Sequence, residues 1–194
     1  MLALRAPIVV VGLALALLRP GPLAAAQDTW LDQPLTGWNA SGAAIPPAEP
    51  GGESLGRCAR LARPPQFPED QQVVGAGWTL FGQYQAGWGL ALVHATSAFD
   101  GMCRPSGYQV FVFVNGVYAG TLSPEPMQAR TTGAETMSWL GAPDGSLAPL
   151  YARFSRYAPD DPLCCPSLPA AVVEYAVEQG PAGPYVVPTG KSQG

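Results

Sequence analysis

The segment Tyr108–Ser123 constrains the fold of this chain more than any other part of its sequence. Two runs rich in β-branched and aromatic residues, Tyr108–Val114 and Val117–Ser123, are separated only by Asn115-Gly116. Asn-Gly readily takes positive φ at both central positions of a type I′ turn, whose twist matches that of the flanking strands, so the segment predicts a β-hairpin. The first run has almost no alternation of polar and apolar residues, which is typical of a central strand covered on both faces.

Further short β-type runs, bounded by turn residues, continue from Val73 to Glu178. They are Gly77–Gly82, Gly87–Thr96, Glu135–Leu140, Leu147–Tyr157 and Ala170–Glu178. This pattern predicts a mainly β domain over residues 72–178, or an α+β domain with little helix. We expect a single antiparallel sheet domain, built as a sandwich or a partly closed barrel. The run Ala170–Glu178 alternates less regularly than the others, so a helix is the alternative there.

The two ends of the mature chain are predicted to be less ordered than this domain. Prolines and glycines interrupt every candidate helix or strand in residues 27–71, which predicts an extended, mobile leader. Four apolar residues of the leader are candidates for a short hydrophobic clip: Trp30, Leu31, Leu35 and Trp38. Residues 179–194 are also rich in glycine and proline, and they are predicted to form a disordered tail.

Residues 1–26 have the layout of a cleaved signal peptide. Arg5 precedes an apolar run, Ala6–Leu18, and Ala24 and Ala26 form the small-residue pattern that a signal peptidase recognises. The apolar run is shorter than the roughly 20 residues that cross a bilayer as a helix. We therefore expect a secreted or extracytoplasmic cell-envelope protein that is soluble after signal cleavage and has no stable membrane insertion.

The charge of the chain argues against nucleic acid as a partner. The formal net charge is −4, the arginines are scattered, and the only lysine is Lys191 near the end of the chain. A phosphate backbone is bound by clustered basic side chains. The sequence therefore predicts no nucleic-acid partner.

The four cysteines, Cys58, Cys103, Cys164 and Cys165, form an even set in a chain predicted to be exported. Such a set favours two disulfides over metal or redox chemistry. A bond between adjacent cysteines would close a strained ring across one peptide unit, so we expect Cys164 and Cys165 each to pair with a different upstream cysteine. Which pairs with which stays open. No CxxC motif or nearby histidine accompanies the adjacent pair, so no metal site is predicted.

His94 is the only histidine, and Ser97 and Asp100 lie close to it in the sequence. Ser-His-Asp sets are defined by geometry. On a strand, however, His94 and Ser97 fall on opposite faces, and no GxSxG elbow occurs in the chain. We therefore expect a structural histidine at a strand end, partly buried and hydrogen-bonded to the backbone. No cofactor motif is present, and no cofactor is predicted.

Aromatic residues are concentrated in residues 78–88, where Trp78, Phe81, Tyr84 and Trp88 occur. Large rings often fill the cores of small sheet domains, and this is the favoured interpretation. The alternative is a displayed platform that stacks against a sugar or holds an apolar side chain of a partner. The candidate binding surface consists of Trp78, Tyr84 and Trp88.

Two motifs resemble those of the LppP/LprE lipoprotein family: "FVFVNGVYAGTLSPEPM" at 111–127 and "RYAPDDPLCCPS" at 156–167, followed by a valine-rich strand. The resemblance covers about residues 73–178 and implies an exported domain. The chain departs from the family in having no cysteine between Met1 and Arg57 to carry a lipid anchor, so membrane attachment is not carried over. The family supplies no catalytic residues.

The predicted function is that of an exported, non-enzymatic cell-envelope or secreted protein that binds a protein or cell-wall partner. The alternative is an extracytoplasmic hydrolase whose active site is assembled from residues distant in sequence.

Overall fold

The computed structural model describes residues 29–51, 54–140 and 150–194, so the signal peptide predicted for residues 1–26 lies outside it. The strands are β1 (Thr79–Leu80), β2 (Gln85–Gly87), β3 (Leu90–Phe99), β4 (Pro105–Val114), β5 (Val117–Thr121), β6 (Met127–Gln128), β7 (Glu135–Leu140), β8 (Leu150–Phe154), β9 (Ala171–Gly180) and β10 (Gly183–Gln193). The helices are α1 (Ser54–Arg57) and α2 (Pro68–Gly75), with 3-10 turns at Trp30–Asp32 and Ala59–Leu61. Within the described ranges, no helix combines the length and apolar character that a membrane span requires.

The strands form two antiparallel sheets, which confirms the mainly β prediction. The first sheet has the order β1-β3-β4-β5, with β2 paired to β3 and β6 paired to β4, and the second has the order β10-β9-β8-β7. Both contribute to one cluster of buried residues, including Leu92, Val110 and Val112 from the first sheet and Phe154, Val173, Tyr175 and Val186 from the second. The arrangement is thus a sandwich, one of the two predicted architectures.

The opposite face of the first sheet has its own core. Phe111 and Phe113 of β4 pack there with Val73 of α2 and with Trp78, and each of the four is at most 4% exposed. Since β4 pairs with β3, β5 and β6, it is a central strand buried on both faces. This confirms the prediction made from its continuous apolar run.

The predicted hairpin is present with its turn at the predicted residues. Val114 pairs with Val117, and φ is 49° at Asn115 and 81° at Gly116. Positive φ at both central positions is the signature of the type I′ turn that Asn-Gly favours.

The C-terminal part of the chain corrects two sequence-based expectations. Residues 171–180 form strand β9, which rejects the helical alternative for that run. Residues 183–193, predicted as a disordered tail, form β10 and pair along β9, with Val186 fully buried. Proline is tolerated because β10 is an edge strand and the register shifts between Pro188 and Gly190.

The segment predicted as a mobile leader packs on the domain instead. Leu31 is only 1% exposed, and the other three residues of the predicted hydrophobic clip, Trp30, Leu35 and Trp38, pack against the core shared by the sheets. The clip is therefore present. Helix α2 was not predicted from the sequence. Pro68 occupies its first turn, and the Asp70 carboxylate accepts hydrogen bonds from the backbone N–H groups that precede the helix.

Residues 33–50, which we call the strap, cross between the two sheets without forming a strand. The side-chain amide nitrogen of Asn39 donates to the carbonyl oxygens of Thr121 in β5 and Val186 in β10, at 3.0 Å each. Its amide oxygen accepts the N–H of Thr121 at 2.9 Å. One side chain therefore satisfies backbone groups of both sheets.

Gly120 provides the space for this contact. Its φ is +129°, and a Cβ added there would lie 2.2 to 2.6 Å from the side-chain atoms of Asn39. Glycine is needed at position 120 because both the backbone conformation and the close approach exclude a side chain.

The predicted disulfide pairing is wrong, although two disulfides are present. Cys58 bonds to Cys103, and Cys164 bonds to its neighbour Cys165. On an extended chain, adjacent side chains point apart, and the predicted pairing depended on that geometry. The adjacent cysteines instead lie in a turn, where the N–H of Cys165 donates to the carbonyl of Pro162 at 2.9 Å.

The two disulfides are expected to differ greatly in their contribution to stability. Replacing Cys58 and Cys103 by serine should lower the free energy of unfolding by about 3 to 4 kcal/mol, because that bond closes a long loop in the unfolded chain. Replacing Cys164 and Cys165 by serine should change it by less than about 0.5 kcal/mol, because a bond between neighbours closes almost no loop. Urea unfolding of both double variants measures this difference, and an equal loss in the two would contradict it.

Candidate functional site

Two hairpin turns lie side by side at one end of the first sheet. Gly87 pairs with Leu90 across Trp88-Gly89, where φ is 52° and 77°. The backbone N–H of Asn115, in the second turn, donates to the carbonyl of Gly89 at 2.6 Å. The two turns have the same φ signs, but one carries the favoured Asn-Gly and the other carries Trp-Gly.

Trp88 is 62% exposed and lies on the wall of a groove of about 600 Å³. The groove runs from the two turns to β9 and β10. The described part of its wall holds no charged side chain; its residues are Trp88, Leu90, Val114, Asn115, Leu150, Tyr175, Ala176, Val177, Gln179 and Thr189. We call it the Trp88 groove.

The other two residues of the candidate binding surface lie elsewhere. Trp78 is a core residue, 4% exposed, and its indole N–H donates to the carbonyl of Pro46 at 2.7 Å. Tyr84 stacks on Phe67 with ring centroids 3.9 Å apart. Neither lines the Trp88 groove, so the structure does not bring the three rings together into one platform.

Tyr84 also has a second structural contact. Its hydroxyl donates to the Glu69 carboxylate at 3.1 Å. Burial and the hydrogen bond to Glu69 raise the pKa of Tyr84 to about 12. The ring therefore connects the start of α2 to the first sheet as a neutral phenol.

His94 lies within β3, whereas a position at a strand end was expected. Its described polar contacts are to side chains, so the expected hydrogen bond to the backbone is not found among the described residues. Its Nε2 lies 3.4 Å from Ser138 Oγ and 3.6 Å from Glu135 Oε2. Its Nδ1 is buried and has no hydrogen-bond partner among the described residues. Ser97 and Asp100 bond to Ser106 and Arg104 instead, so the sequence-local triad is not assembled.

The new neighbours of His94 do not form a catalytic triad either. In a triad, one ring nitrogen contacts the nucleophile and the other is oriented by the carboxylate. Here Ser138 and Glu135 both approach the same nitrogen, Nε2. The arrangement is suited to holding a polar group.

These residues line a cavity of about 560 Å³, which we call the His94 cavity. Its wall combines polar and aromatic side chains with one disulfide cysteine; the residues include Phe81, Gln85, His94, Tyr108, Arg130, Glu135, Ser138, Tyr157 and Cys164. Glu135 and Ser138 belong to the second sheet and His94 to the first. Glu135 and Ser138 lie 41 and 44 positions after His94, and no local motif connects them with it, so this contact was not predicted.

A turn that contains the adjacent cysteines contributes to the cavity wall. Both cysteines are exposed. The Asp161 carboxylate accepts the N–H groups of Ala158 and Ser167, at 2.7 Å each, and thereby holds the turn together. The backbone hydrogen bond from Ser167 keeps the pKa of Asp161 below its usual value.

The family model described as LppP/LprE lipoprotein matches residues 82–180. No curated protein and no solved structure matches the chain.

Proposed function

Since this chain belongs to the LppP/LprE lipoprotein family, an assignment that suggests an exported envelope protein, we propose that it binds a neutral cell-wall glycan in the Trp88 groove without catalysing a reaction. The observation that carries the proposal is the exposed Trp88 ring, held at positive φ beside a wall without described charges.

The backbone conformation of Trp88 is strained, which supports a role in binding and not in stabilising the fold. A bulky residue at positive φ is uncommon and costs on the order of 1 to 3 kcal/mol. The neighbouring turn carries Asn115, a residue that adopts this conformation readily. Trp88 adopts the same conformation, but its ring is mostly exposed, so burial offsets little of this strain. A role in ligand binding would explain why tryptophan is present at this position.

The chemistry of the groove suits a neutral sugar. An indole face packs on the apolar face of a pyranose ring, and amide and hydroxyl groups such as those of Asn115, Gln179 and Thr189 exchange hydrogen bonds with its hydroxyls. A charged polymer would find no described counter-charge on this wall. Neutral glycans are therefore the proposed ligand class.

Replacing Trp88 by asparagine is expected to abolish glycan binding while changing the free energy of unfolding by no more than about 1 kcal/mol, because relief of the turn strain offsets the lost partial burial. Affinity electrophoresis through gels containing dextran, mannan or galactan measures binding. Urea unfolding measures stability. A core role for Trp88 would instead cost about 3 to 5 kcal/mol.

Met102→Asn is the matched control. Met102 is 76% exposed in the loop at the opposite end of β3, so this variant should be retarded like the parent chain. Polygalacturonate, an acidic glycan, should retard none of the variants. Retention of Trp88→Asn equal to that of the parent, or no retardation by any neutral glycan, would overturn the proposal. In the latter case a protein partner becomes the better hypothesis.

A further inference from the structure

We propose that the His94 cavity binds the primary ammonium group of a small ligand, with the Glu135 carboxylate as its acceptor. This site is separate from the Trp88 groove, and the proposal does not depend on glycan binding.

Glu135 has a largely buried side chain, and no hydrogen bond from a described residue reaches its carboxylate. Its side chain is 7% exposed, and its closest described polar contact is His94 Nε2 at 3.6 Å, which is too long for a hydrogen bond. Burying a carboxylate without donors is costly, and such groups are normally paired. The cavity that Glu135 lines provides the space for a donor from a ligand.

A second acceptor lies beside the carboxylate. Ser138 Oγ is 3.4 Å from the same His94 nitrogen, so Glu135 and Ser138 present neighbouring oxygens to the cavity. A primary ammonium group has three N–H donors on one compact cation and can bond to several acceptors at once. A sulfate, phosphate or carboxylate has no donor for these oxygens.

The aromatic part of the wall also favours a cation. Phe81, Tyr108 and Tyr157 line the cavity, and aromatic faces attract ammonium groups, more strongly where water is excluded. The same rings can cover an aliphatic carbon chain attached to the ammonium group. A small alkylamine therefore matches the wall better than a hydrated metal ion does.

The Glu135 carboxylate acts electrostatically on nearby tyrosines. Burial, followed by the charge of Glu135, raises the pKa of both Tyr108 and Tyr175 well above their usual value. Arg130 also lines the described wall, but its side chain is exposed, so water screens its charge. The Glu135 side chain is less exposed to water, so its attraction for a cation in the cavity is screened less.

The test compares n-butylammonium with 1-butanol, a neutral molecule of nearly the same size, by amide chemical shifts of the whole folded chain. Butylammonium should shift the amide signals of Gln85, Ser138 and their neighbours in a saturable manner, and 1-butanol should not. Glu135→Gln, which keeps the shape and removes the charge, should weaken butylammonium binding at least tenfold.

Glu174→Gln is the control for loss of one negative charge, since Glu174 is exposed and outside the cavity, and it should bind as the parent does. Trp88→Asn should also bind butylammonium normally, which separates this result from the glycan test. Equal binding of the alcohol, or unchanged affinity in Glu135→Gln, would overturn the proposal.

Discussion

Cutting the chain after Gly180 is expected to abolish its cooperative unfolding transition. The cut removes β10, which pairs with β9 over its length, and exposes the core residues that Val186 covers. It also removes the Val186 carbonyl, which accepts a hydrogen bond from Asn39 in the strap. Circular dichroism during urea titration measures the loss. A disordered tail would have predicted no change, so a sharp transition in the shortened chain would contradict the assignment of β10.

Two single substitutions in the full chain separate packing from chain length. Val186 is fully buried and Val187 is half-buried on the other side of the strand. Val186→Ala should lower the free energy of unfolding by about 2 kcal/mol, and Val187→Ala should lower it by less than about 1 kcal/mol. Equal effects would mean that β10 does not pack in this register.

Gly120→Ala is expected to lower the free energy of unfolding by at least about 3 kcal/mol, because alanine at this φ is strained and its Cβ would overlap the Asn39 side chain. Urea unfolding measures the change, with all variants fitted to one m-value, the slope of the unfolding free energy against urea concentration. Gly87→Ala is the control, since Gly87 has no neighbour within 4 Å of an added Cβ and does not have positive φ. A loss below about 1 kcal/mol for Gly120→Ala would contradict the proposed fit.

A double-mutant cycle tests whether the two residues act through each other. Asn39→Ala alone should cost about 2 kcal/mol, because the N–H of Thr121 loses its acceptor. In the double variant Asn39→Ala/Gly120→Ala, the overlap is absent, so the loss should be smaller than the sum of the single losses by at least about 1 kcal/mol. Simple additivity would mean that only the backbone conformation of Gly120 is important.

The parts of the fold that depend on local chemistry could be predicted from the sequence. The turn at Asn115-Gly116 depends on two adjacent residues, and the buried character of β4 depends on its own apolar run. Helix α2 could have been found from Pro68 and the acidic residue two positions later, which together form a helix start. This signal was missed among the surrounding prolines.

The remaining features depend on contacts between distant residues. The glycine- and proline-rich composition of β10 predicts a flexible tail, but the segment is ordered because it pairs with β9. Glu135 and His94 come from different sheets, and no spacing in the sequence indicates that they meet. The disulfide prediction was wrong because it assumed an extended chain at Cys164 and Cys165, whereas residues 162–165 form a four-residue turn.

The fit between Asn39 and Gly120 has a consequence for how this chain can vary. The family match begins at residue 82, so it includes Gly120 and leaves Asn39 outside. Loss of the asparagine would remove the overlap at position 120 and leave only the strain of the positive φ, whereas a side chain gained at 120 while Asn39 is present would meet both. The order of these two mutational steps is therefore expected to matter, although Asn39 lies outside the segment that the family model matches.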